Sequence, residues 1–133
     1  MPIFNIIAML LLLTTGAASA QQASSEAQVT PLMTKALIDY PGKEGLVITV
    51  DYPPGGASSV HRHNAHAFVY VLEGSIVMGV RGGKTITLTP GQTFYEGPDD
   101  IHTVSRNASL TKPAKFLVVL LKNSGEPVSM PVP

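Results

Sequence analysis

Short apolar or alternating runs recur along the chain between turn signals: Leu46 to Val50, Phe68 to Leu72, Ile76 to Val80, Thr85 to Leu88, Phe94-Tyr95, Ile101 to Val104 and Phe116 to Leu121. A period of two sends successive side chains to opposite faces of a strand, and no stretch keeps the 3.6-residue period of an amphipathic helix. Pro53-Pro54-Gly55-Gly56, Glu73-Gly74, Gly82-Gly83, Pro90-Gly91 and Gly97-Pro98 fall between the runs. Their intervals suit antiparallel strands, with Glu73-Gly74 read as a hairpin turn. The pattern predicts an all-β domain, a small antiparallel β-barrel or jelly roll. Thr85 to Thr89 alternates cleanly and is expected to have one wet face. Phe116 to Leu121 is apolar on both faces, which places it in the middle of a sheet or at a subunit contact and makes a homodimer the expected assembly. The segment Pro127 to Pro133 carries three prolines and cannot form a central strand.

The first residues follow a different pattern. Ile6 to Leu13 is apolar but too short to span a bilayer, and Ala18-Ser19-Ala20 supplies the small residues of a cleavage site. Residues 1–20 therefore read as a secretory signal peptide cut before Gln21, implying a periplasmic or secreted protein with no stable membrane insertion after cleavage. No Lys or Arg precedes the apolar run, so an uncleaved anchor is the alternative. Residues 21–30 read as a polar linker, 31–126 as the barrel domain and 127–133 as a Pro-rich tail. With Lys+Arg 9 and Asp+Glu 9 the chain of 133 residues has no net charge, which argues against a nucleic-acid partner. Cysteine is absent, which excludes thiol catalysis and any Cys-type zinc site.

His61-Arg62-His63 places two imidazoles at i and i+2 of an extended segment, where both point the same way and can share a metal, while Arg62 points outward. His102 lies further along, after Gly97-Pro98. The alternative is three polar strand residues with no metal.

These residues carry a family resemblance. The chain resembles the cupins, small antiparallel β-barrels whose first motif runs Gly, five residues, His-x-His, three or four residues, Glu, six residues, Gly. Gly55, His61, His63 and Gly74 fall in register with it. The second motif runs Gly, five residues, Pro-x-Gly, two residues, His, three residues, Asn. Gly91 and His102 match it, while Pro98 and Asn107 each come one place late. The resemblance covers about residues 40 to 122. It implies that His61, His63 and His102 ligate a divalent transition metal, iron first, with zinc, nickel or manganese as alternatives.

The family's glutamate position is occupied by Ala67, so the usual three-His-one-Glu ligand set is incomplete and manganese oxalate chemistry is not implied. Two residues can compensate. His66 reaches the metal if the strand bulges, giving a four-His site like those of some small cupins, but faces away on an unbroken strand. Glu96, within Phe94-Tyr95-Glu96-Gly97-Pro98, reads as a catalytic acid or base in the pocket, or as a partner orienting a histidine. A solvated loop carboxylate is the alternative.

Three neutral imidazoles leave a divalent ion its full charge and open positions for an anionic bidentate ligand, such as an enolate or an α-hydroxy-carbonyl. Such a site resembles the three-His iron centres of some cupin dioxygenases, with Phe68, Val69, Val71 and Met78 expected as apolar lining. Zinc or nickel would suit a Lewis-acid isomerase or hydrolase instead. A barrel that only binds a small molecule, or one that serves as a structural partner in a larger complex, are the non-catalytic readings. Asn107-Ala108-Ser109 matches a glycosylation sequon, and Tyr52, Tyr70 and Tyr95 read as packing residues.

Overall fold

The computed structural model describes residues 25–133. The signal-peptide reading of residues 1–20 and the start of the linker lie outside them. Ten strands and no helix are present among the described residues: β1 (Gln28–Ala36), β2 (Lys43–Tyr52), β3 (His61–Arg62), β4 (Ala65–Glu73), β5 (Ile76–Val80), β6 (Ile86–Leu88), β7 (Thr93–Glu96), β8 (His102–Asn107), β9 (Ala114–Asn123) and β10 (Met130–Pro131). They form two five-stranded antiparallel sheets, ordered β1-β2-β9-β4-β7 and β10-β3-β8-β5-β6. This is a jelly roll, and every run named from the sequence falls within or overlaps a strand.

The two sheets enclose an apolar core because their strands alternate. On β4, Ala65, Ala67, Val69 and Val71 are buried while His66, Phe68, Tyr70 and Leu72 are exposed. On β9, Phe116, Val118 and Leu120 enter the core, and the strand sits in the middle of its sheet between β2 and β4. That central place explains its apolar residues on both faces, since the outward side chains still have neighbours on either flank. On β6 only Leu88 is buried, which is the wet face expected of the threonine-rich run.

Four expectations differ from the structure. Phe68 is not a lining residue: its side chain lies on the outer face, 48% exposed, because it alternates with Ala67 and Val69. The Glu73-Gly74 turn is not a hairpin, since β4 and β5 belong to different sheets and the turn is a corner between them. The Pro-rich tail is part of the barrel. Met130 pairs with Arg62 and Pro131 with His61, on a sheet edge where a missing N–H does no harm. At the other end the ordered fold starts before Pro31, with β1 entering at Gln28 and a bridge from Glu26 to Ala57.

Candidate metal centre

Local structure brings the three histidines together. His61 lies directly opposite His102 in the β3–β8 pair, while His102 also adjoins Val80 of β5. After His63 the chain turns through Asn64, whose φ of 48° is left-handed and suits a short polar side chain, and enters β4 in the opposite sheet. The result is a cluster at the gap between the sheets in which one ring nitrogen from each of His61, His63 and His102 lies within 4.8 Å of the others.

The backbone sets the tautomers of two of them. Nδ1 of His61 donates to the Ser59 carbonyl at 2.7 Å, and Nδ1 of His63 donates to the Val128 carbonyl at 2.7 Å. In the neutral rings each Nε2 is therefore a lone pair, and these two lone pairs face each other at 3.2 Å. Such a contact needs a cation between the two atoms. Burial lowers the His61 pKa, and the neighbouring His63 and His102 lower it further, against the Ser59 bond and the Glu96 carboxylate, which raise it; a metal ion fits between the two lone pairs. The tail thus supplies an orienting carbonyl, and Glu126 just before it holds the turn by accepting from the Asn64 amide at 2.9 Å.

Glu96 joins the cluster from β7. It is 2% exposed, which excludes the solvated loop carboxylate. Its Oε2 lies 3.6 Å from His63 Nε2 and its Oε1 lies 3.1 Å from His102 Nδ1. The latter distance is that of an ion pair, yet neither atom has hydrogen-bond alignment: Glu96 Oε1 and both ring nitrogens of His102 are buried without a hydrogen-bond partner among the described residues. Burial works to raise the Glu96 carboxyl pKa, but the adjacent His102, with His63 and His61, outweighs it and holds the group below the ordinary glutamate value. His66, offered by the sequence as a fourth ligand, is corrected: β4 is regular there, the ring lies on the outer face, and its Nδ1 bonds the Tyr95 hydroxyl at 2.8 Å.

The cluster opens onto a cavity of about 430 Å³ between the sheets, within the range of small-molecule sites. Val69 and Met78 line it as expected, joined by Ile48, Val50, Phe116 and Val118. A polar group on the same wall was not legible beforehand. The Tyr52 hydroxyl contacts Ser58 Oγ and Ser105 Oγ, each at 2.6 Å. Burial raises the Tyr52 pKa against these two bonds, so the phenol stays protonated. The sequon has a structural role instead of a glycan: the buried Asn107 amide donates to the Pro53 and Lys112 carbonyls at 3.0 and 2.7 Å.

Comparison with known proteins agrees with the architecture. The cupin domain profile matches residues 48–120, and the chain belongs to the cupin family. No curated protein matches it. Among solved structures, a cupin domain from Bordetella pertussis Tohama I is 23% identical with a TM-score of 0.57, covering 73% of this chain and 94% of that one. The DMSP lyase DddQ from Ruegeria pomeroyi DSS-3 is 21% identical with a TM-score of 0.56, covering 65% of this chain. A recombinant oxalate oxidase in complex with glycolate is 24% identical with a TM-score of 0.61, covering 82% of this chain. The match spans only 42% of the lyase and 56% of the oxidase, and at these identities the likeness shows the fold alone.

Proposed function

We propose that this protein is an exported, metal-dependent cupin that binds a small bidentate oxyanion and acts as a mononuclear iron dioxygenase on an enolisable substrate. The observation that carries the metal reading is the pair of facing lone pairs on His61 and His63, which a divalent cation would satisfy. His61, His63 and His102 would hold it. Iron would supply chemistry toward O₂, whereas zinc or nickel would supply Lewis-acid polarisation. The chain's own contribution is a preformed nitrogen donor set, apolar walls from Val69, Met78 and Phe116 that limit water, and a hydroxyl cluster of Tyr52, Ser58 and Ser105 on the same wall, in which Tyr52 donates to the Ser105 carbonyl at 3.2 Å. The glycolate complex of the oxalate oxidase lends support, since an α-hydroxy acid there occupies a protein of the same fold. The test is elemental analysis of protein recovered from the envelope without chelator or affinity nickel, beside His61→Ala. Near-stoichiometric iron, lost in the variant, on a chain whose N-terminus is Gln21 is the expected result. Zinc or nickel would redirect the reading to isomerase or hydrolase chemistry. No metal above the variant's level, even after reconstitution, would leave a binding barrel as the better account.

We infer further that two copies pair through the outer face of the first sheet. Phe68, Tyr70 and Leu72 of β4, Tyr95 of β7 and Leu121 of β9 are exposed there on adjacent strands, and Phe68 lies in register with Tyr95. A chain of zero net charge brings no like-charge repulsion to such a contact. Sedimentation equilibrium should give a dimer for the wild type and a monomer for Phe68→Glu. A monomeric wild type would dismiss the idea.

A further inference from the structure

Ala67 stands where the resemblance would put a carboxylate, and the β4–β7 ladder sets it directly opposite Glu96. Residues facing each other across an antiparallel pair share a face, with Cβ atoms roughly 4.5–5.5 Å apart. Both point into the barrel: Ala67 is wholly buried and Glu96 nearly so. A carboxylate carried by Glu96 therefore enters the site from the adjoining strand at the level of position 67, and the small methyl of Ala67 leaves it room.

Two of the three contacts in the cluster have the spacing of a coordination shell, and the third, from His63 to Glu96, is slightly longer. With metal–ligand bonds of about 2.0–2.1 Å, ligand atoms set at octahedral to tetrahedral angles lie roughly 2.8–3.4 Å apart. The contacts here are 3.2 Å between His61 and His63, 3.1 Å between His102 and Glu96, and 3.6 Å between His63 and Glu96. A carboxylate that merely oriented His102 would accept an aligned N–H bond. Instead Glu96 Oε1 and His102 Nδ1 approach without that alignment, and both His102 nitrogens are unpartnered among the described residues. We propose that Glu96 is the fourth protein ligand of the metal, a carboxylate delivered from β7 in place of the one missing from β4. The inference rests on the reading that the three histidines hold a metal. It deepens that reading by lowering the charge of the centre by one and reducing the number of positions a bound metal would offer to substrate.

The test is calorimetric titration of the metal-free protein with Co²⁺, with visible spectra of the loaded forms. Wild type is compared with His61→Ala, Glu96→Ala, the near-isosteric Glu96→Gln, and Glu96→Ala/Ala67→Glu. Loss of the carboxylate should weaken binding by more than roughly 100-fold and change the Co²⁺ band intensities, beyond what an outer partner supplies. The double variant should recover at least roughly tenfold of that loss by returning a carboxylate from β4. If wild type and His61→Ala bind equally weakly, the three-His reading itself falls and this inference with it. If wild type binds tightly but Glu96→Gln keeps its affinity, or weakens it with unchanged spectra, the histidines stand and Glu96 is not a ligand.

Discussion

Replacing His102 with alanine is expected to weaken metal binding by roughly 60- to 1,000-fold, because the roughly 10–16 kcal/mol of a four-ligand zinc site averages to about 2.5–4 kcal/mol per ligand. The metal-free variant should nevertheless melt within a few degrees of the wild type. His102 is 3% exposed with both ring nitrogens buried and unpartnered among the described residues. Each such group costs about 1–3 kcal/mol in a metal-free protein. Truncating the ring removes that cost together with its stacking on Phe94, at a centroid distance of 6.1 Å, and the two changes oppose each other. The variant lines a cavity that already exists, so water can occupy the vacated space. Calorimetric melting in chelator and then in excess metal reads both halves. Saturation at a hundredfold over Kd should stabilise the wild type by about 2.7 kcal/mol and the variant far less. A variant that no longer folds without metal would mean that the ring is a structural part of the barrel, and one that still gains stability from metal would remove His102 from the ligand set.

Much of the fold was legible because burial follows a period of two. The apolar content of Phe116 to Leu121 pointed to mid-sheet or to a subunit contact, and β9 lies in mid-sheet. What was not legible depends on which strands pair. Glu96 and Ala67 are far apart in sequence, and nothing local reveals that they are opposite each other until the β4–β7 register is known. The same holds for the Val128 carbonyl. Its segment reads as a proline-rich tail, yet it orients His63 because β10 closes the edge beside β3. Backbone groups leave no trace in side-chain chemistry, so a sequence motif shows the ligand histidines but not what aims them. His66 illustrates the converse. Its adjacency to the missing glutamate made it a candidate, and strand parity, itself a sequence-level rule, was enough to turn it outward once β4 proved regular at that point.

Substituting Gly74 by alanine is expected to destabilise the protein far more than the same change at Gly82, and the comparison isolates the cause. Both glycines are left-handed, with φ of 68° and 77°. That conformation costs an L-residue about 1–2 kcal/mol. At Gly82 a Cβ would meet nothing within 4 Å, so the conformational cost stands alone. At Gly74 it would lie 2.5 Å from the Pro113 carbonyl oxygen and 2.9 Å from Ala114 Cα, both backbone atoms that no rotamer change can move aside. Forced packing of this kind adds about 1–3 kcal/mol. The sum of roughly 2–5 kcal/mol should lower the melting temperature by roughly 10–20 °C in a domain of this size. The clash matters beyond stability because Gly74 is the corner at which the chain leaves β4 for β5 in the other sheet, pressed against the start of β9. A corner pushed outward displaces β4 along β9, the strand pair that also positions Ala67. Thermal unfolding of the two variants decides the point. Equal losses would show that the corner yields freely, and that the close approach of Pro113 does not hold the sheets in register.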